Sequence, residues 1–136
     1  MTERARFAAA GAAAATVWAL LEPLDRRLFR YDYSDVALLG TFVTRGPGWR
    51  VAGLAIHAAN GALFGLAYRE AKQRFGISAL TLALAEHVAL FPLSALVDRY
   101  HPARGTALVP KVMTPRAFGQ ATLRHAVFGA VLGRLA

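Results

Sequence analysis

His57-Ala58-Ala59-Asn60-Gly61-Ala62-Leu63-Phe64-Gly65 returns 68 positions later as His125-Ala126-Val127-Phe128-Gly129-Ala130-Val131-Leu132-Gly133. Two further stretches return in the same order. Ala37-Leu38-Leu39 through Thr44 comes back as Ala107-Leu108-Val109 through Thr114, shifted by 70. Pro23-Leu24 through Arg30-Tyr31 comes back as Pro92-Leu93 through Arg99-Tyr100, shifted by 69. Three ordered matches at nearly the same offset in a chain of 136 residues indicate a duplicated unit, with repeats over 1–68 and 69–136 of a single domain.

The repeated unit is apolar. Hydrophobic residues make up 56% of the chain and charged residues 18%, against roughly 45–50% and about 25% in average soluble proteins. The apolar residues fall in four blocks: Phe7 to about Leu24, Val51 to Tyr68, Ile77 to Val97, and about Ala117 to the C-terminus. Each block approaches the ~20 residues that carry a helix across a ~30 Å hydrocarbon core. None shows the alternation of barrel strands. The fourth contains Arg124 and His125 and is recognised through its repeat partner, the second. Pro92 is expected to kink the third span. Thr114-Pro115 suits the N-cap and first position of the fourth. Residues 4–21 resemble a signal peptide. However, Leu20-Leu21-Glu22-Pro23-Leu24 stands where a small-residue cleavage site belongs, so the segment reads as a retained span.

The expected fold is therefore all-α: a polytopic membrane protein with four transmembrane helices. These form two parallel-repeat helical hairpins related by a pseudo-two-fold axis along the membrane normal. A short charged turn, Arg69 to Gly76, joins the halves. Two longer links contain the repeated 33–44 and 105–114 stretches. Both are too short to span, and each is expected to be an interfacial helix or a re-entrant one.

The net charge is +8, from 16 Lys and Arg against 8 Asp and Glu. The arginines sit at the ends of apolar blocks, as charges flank membrane spans. That placement makes a soluble basic nucleic-acid-binding protein the weaker alternative. Nine Lys and Arg lie in the long links against six in the termini and central turn. The positive-inside rule then favours cytoplasmic links and both termini outside. Arg30-Tyr31 and Arg99-Tyr100 suit headgroup anchoring, whereas Trp18 lies deeper than a residue of an interfacial belt should. The absence of cysteine excludes disulfides, thiolate metal sites and cysteine nucleophiles.

Within the spans the polar groups are His57, Asn60, Glu86, His87, Arg124 and His125. Ionisable groups in a bilayer are costly and tend to face the bundle interior. Gly53, His57, Gly61 and Gly65 share one helix face, and Ala121, His125, Gly129 and Gly133 repeat it. Glycine at this spacing lets helix backbones approach closely. The symmetric expectation is that spans two and four cross along these glycines, which also offer a homodimer or partner-protein face. The histidines allow four readings. The first is structural packing, with the histidines bonded to each other, Asn60 or Glu86. The second is a proton or small-ligand path. The third is a bis-histidine haem b site on His57 and His125. The fourth is a metal site on His57, His125 and either Glu86 or His87. Glycine-lined faces leave little room for a porphyrin. No nucleophile–base set, phosphate loop or HExxH helix is present, so the expectation is a non-enzymatic, structural or accessory membrane protein.

His57-Ala58-Ala59-Asn60-Gly61 with Phe64-Gly65 and Tyr68, Glu86-His87 with Phe91-Pro92, Asp98-Arg99-Tyr100-His101-Pro102, and Arg124-His125 with Gly129 resemble small four-span bacterial integral-membrane proteins. The resemblance implies a four-helix fold in the bacterial inner membrane. It brings no activity and no assigned site.

Overall fold

The computed structural model describes residues Met1–Ala136, and its regular elements are all helices, without strands. Helix α1 (Glu3–Phe29) starts at Thr2, whose hydroxyl accepts the Ala5 N–H, and ends where Arg30 turns left-handed at φ 50°. It runs through Pro23 and past Leu24, adding a charged turn beyond its apolar block. Ser34 caps α2 (Asp35–Val43) and Gly76, at φ 64°, ends α3 (Trp49–Phe75). Left-handed backbone of that kind suits glycine, which has no Cβ to clash. Ser78 caps α4 (Ala79–Leu90). A 3₁₀ turn at Phe91–Leu93 then carries Pro92 into α5 (Ser94–Tyr100), so the expected proline break is present. Thr114 caps α6 (Pro115–Leu135), with Pro115 in the first turn.

Three helical stretches are long and apolar enough to cross a membrane: Glu3–Phe29, Trp49–Phe75 and Ala79–Tyr100. At 27 residues, α1 and α3 each reach about 40 Å. The sorting of side chains also fits lipid. The buried apolar set is dominated by alanine, including Ala10, Ala14, Ala15, Ala83, Ala117 and Ala121. Leu20, Leu24, Leu28, Leu63 and Val88 point outward, Leu20 at 74% exposure. Lipid tails solvate leucine as well as another helix would, so small residues are left to make the interior.

Helix α1 packs on α3, α4 on α6, and α1 on α6, while α2 lies against α3. The glycines explain the closeness of these pairs. A Cβ on Gly11 would strike the Gly61 carbonyl, one on Gly65 the Phe7 carbonyl, and one on Gly53 the Val36 carbonyl. One on Gly129 would lie 2.7 Å from Leu80 Cα. This corrects the expected crossing of spans two and four. Gly61 and Gly65 face α1, Gly53 faces α2, and Gly129 faces α4. Gly133 is looser, with Ala79 Cβ at 3.5 Å from its would-be Cβ. Gly53, Gly61, Gly65 and Gly129 are thus buried within the chain rather than offered to a second copy.

The two long links also differ. The 33–44 stretch contains α2, but 105–114 is irregular, held by an isolated bridge between Arg104 and Val109. Gly105 (φ 75°) and Pro110 interrupt the second link, whereas α2 in the first contains no proline and its Gly40 is not left-handed. His101 docks this link on α2. Its Nδ1 accepts the Ala103 N–H at 3.1 Å, so in the neutral ring Nε2 carries the proton and donates to the Leu38 carbonyl at 2.9 Å.

Candidate interhelical polar site

Trp18, Glu22 and Asp25 lie at i, i+4 and i+7, on one face of α1. Gln120 and Arg124 lie at i and i+4 on the α6 face turned toward them. The result is an ionic knot. Arg124 Nε and Nη2 donate to the two Asp25 carboxylate oxygens, both at 2.6 Å. Nη2 also donates to the Tyr33 carbonyl at 2.7 Å, and Nη1 donates to Asp35 Oδ2 at 2.7 Å. The Arg124 side chain is 1% exposed. Gln120 adds bonds to Asp25 and the Tyr31 carbonyl.

Glu22 is satisfied differently. One carboxylate oxygen accepts the N–H groups of Asp35 and Val36, and the other accepts the Ser34 hydroxyl. An acid thus sits on the positive end of α2, where backbone donors lack helical partners. Asp35 is shared among three elements. It accepts from the Tyr33 hydroxyl, from Trp18 Nε1 at 3.2 Å and from Arg124. Burial, reinforced by the adjacent Asp35 carboxylate, holds the Tyr33 phenol well above its ordinary value, so it remains a donor.

The histidines adjoin this knot through Trp18. The indole stands between His57 and His125, with ring centroids 5.1 and 4.6 Å away, edge-on in both cases. His87 stacks on the far side of His125 at 4.7 Å. His125 Nδ1 donates to the Ala121 carbonyl at 2.7 Å, which turns Nε2 toward Glu86 Oε2 at 3.5 Å. His87 Nε2 meets Thr122 Oγ1 at 2.9 Å. Because that hydroxyl donates to the Phe118 carbonyl, His87 is the donor of the pair. His57 has no such arrangement: its Nε2 is buried without a partner.

A cavity of about 220 Å³ opens among Trp18, Asp35, His57, Asn60, Glu86 and His125. The structure therefore brings His57, Asn60, Glu86 and His125 to one cavity and leaves His87 behind His125.

Two cofactor readings do not fit these residues. An axial bis-histidine haem needs the space between His57 and His125, and the Trp18 ring fills it. The cavity is also below the roughly 300 Å³ at which pockets for drug-sized ligands begin. For a metal, no three His, Asp or Glu side chains converge closely enough to hold an ion, so neither Glu86 nor His87 completes a set with His57 and His125. Tyr31 departs from the anchoring role as well, since its hydroxyl donates to the Lys111 carbonyl and ties the two links together. Tyr100 is exposed, with the Arg99 guanidinium 5.3 Å from its ring centroid.

The acids of the knot are the residues that sequence reasoning misses. Their signal is the shared face of Trp18, Glu22 and Asp25, together with the unusual depth of Trp18. No protein-family model, curated protein or solved structure matches this chain.

Proposed function

We propose that this chain is a four-span protein of the bacterial inner membrane that binds a small polar ligand, or passes a proton, in the pocket beside Trp18. The single observation that carries the ligand reading is the cavity of about 220 Å³ lined by Asp35, His57, Asn60, Glu86 and His125; His57 also keeps its Nε2 buried without a partner. A buried ring nitrogen left unmet costs about 1–3 kcal/mol. Structural packing accounts for Arg124, all three of whose nitrogens donate, and for His87, whose Nε2 donates to Thr122, but not for His57.

The four-span, two-repeat arrangement is part of the same proposal, in line with the resemblance to small bacterial membrane proteins. Gly61 and Gly65 seat α3 on α1, and Gly129 seats α6 on α4, which are equivalent places in the two halves. At 21 residues α6 is long enough to cross. Its Arg124 is neutralised inside the bundle rather than exposed to lipid. The long links, richer in Lys and Arg, then face the cytoplasm. Outward leucines weigh against a soluble nucleic-acid binder.

The chain has no cysteine, so single introduced cysteines report without background. Asn60 is exposed at the cavity and Leu63 faces outward on the same helix. In membrane vesicles, Asn60→Cys is expected to react with a water-soluble maleimide and Leu63→Cys to stay unreacted. If Asn60→Cys is as silent as Leu63→Cys, water does not reach the pocket and the proposal fails.

A further inference from the structure

We infer that a groove at the link-side end of α1 and α3 holds an anionic phospholipid. The inference is independent of the pocket beside Trp18 and needs only these two helices to cross the bilayer.

The groove encloses about 450 Å³. A Cβ on Gly65 would strike the Phe7 carbonyl and one on Gly61 would meet Ala15, so α1 and α3 run antiparallel. Arg26, near the end of α1, and Arg50, at the start of α3, therefore stand at one edge, and both line the mouth with Trp49. Deeper in, the wall is Leu20 and Thr16 of α1 and Leu54 of α3. The Thr16 hydroxyl donates to the Ala12 carbonyl at 2.9 Å, so it is already bonded. From Arg26 to Thr16 the helix rises about 15 Å, half of a ~30 Å hydrocarbon core. The groove is thus polar at its mouth, apolar below and one leaflet deep, which is the profile of a phospholipid.

Charge selects the headgroup. Two carboxylates border the groove, and both are engaged. Asp32 pairs with Arg26 at 3.1 Å. Glu22 is turned inward onto the Ser34 hydroxyl and the first N–H groups of α2. Arg50 has no carboxylate partner. Its guanidinium lies over the Trp49 ring, 4.6 Å from the centroid. Stacking of that kind leaves the N–H edge free to grip two phosphate oxygens.

The surplus extends over the whole face. Of the nine Lys and Arg in the long links, only Arg26 pairs with a carboxylate. Asp98 gives its oxygens to the N–H groups of Val112 and Met113. At the opposite face Arg69 is held by both Glu3 and Glu70. A zwitterionic lipid brings as much positive charge as negative to such a surface, whereas an anionic one brings net negative charge. Basic pockets at the ends of spans select the latter.

Full-length protein in phosphatidylcholine nanodiscs is given increasing fractions of phosphatidylglycerol brominated near the top of its acyl chains. Brominated phosphatidylcholine is the matched control. Bromine quenches indole emission at short range, and Trp49 is the indole at the mouth. Phosphatidylglycerol is expected to reach half-maximal quenching at the lower mole fraction. That preference should vanish in Trp49→Phe, which leaves only Trp18. Arg50→Gln should raise the half-quenching fraction of phosphatidylglycerol about fivefold, the weight of one basic residue at an anionic surface. Arg50→Lys should keep most of the preference. Arg74→Gln, at the far end of α3, should leave it unchanged, as should sodium phosphate in place of sodium chloride at equal ionic strength.

Equal quenching by the two lipids, a preference that survives in Trp49→Phe, or an unchanged preference in Arg50→Gln overturns the inference. So does an equal loss in Arg74→Gln, because net charge alone would then attract the lipid. If phosphate removes the preference where chloride does not, the mouth holds a free anion and the lipid assignment falls.

Discussion

Replacing Arg124 with methionine tests the centre of the fold. Methionine approximates the length of the side chain but makes none of its hydrogen bonds. The guanidinium is 1% exposed and its partner Asp25 is 4% exposed. Asp35, at 18%, loses its cationic partner as well. Removing one member of a buried ion pair leaves the rest uncompensated and costs about 3–5 kcal/mol. The unfolding constant then rises by roughly two to three and a half orders of magnitude. Equilibrium unfolding in mixed micelles, followed by circular dichroism, measures this directly. Adding Asp25→Asn and Asp35→Asn to Arg124→Met should recover part of the loss, because the damage is unpaired negative charge rather than lost volume. The reasoning is refuted if Arg124→Met unfolds within about 0.5 kcal/mol of the parent, the scale of an ordinary surface substitution. It is equally refuted if the three changes add without coupling.

Gly61→Ala and Gly133→Ala should separate in the same assay. A Cβ on Gly61 meets the Gly11 carbonyl oxygen and Ala15 Cβ, each at 2.5 Å, so α1 and α3 must part, at about 1–3 kcal/mol. Gly133 has ordinary contact distance and exposed surroundings, so alanine there should be neutral or stabilising by up to about 1 kcal/mol. Equal effects at the two positions would contradict the packing described. His101→Leu removes the bond to the Leu38 carbonyl and should speed tryptic cleavage at Arg104 and Lys111, read by mass spectrometry. An unchanged rate would mean that the second link is held by other contacts.

Local signals carried much of this fold, and long-range ones carried the site. The block lengths, the Thr114-Pro115 start, the Pro92 break and the short central turn are all properties of a few neighbouring residues. The end of α1 was harder to read, because Pro23 suggests a stop while the helix runs on to Phe29. The glycine faces were legible as packing faces, but their partners were not. A face declares that something comes close, not which helix does. Asp25 and Arg124 are 99 positions apart, and nothing near either residue announces the other. His57, Asn60, Glu86 and His125 were legible as polar groups within the apolar blocks. That Trp18 parts the two histidines depends on how α1 rotates against α3 and α6, which no spacing within one helix contains.

The distribution of charge in the Arg124 knot has a consequence for biogenesis. All three acids, Glu22, Asp25 and Asp35, come from the first half of the chain, and the only base comes from the second. Neither half of the chain supplies both signs of the knot by itself. The early half reaches the bilayer carrying acids it cannot discharge, and the late half brings the missing cation. Joined through Gly76, they need only fold back on themselves to become neutral enough to stay.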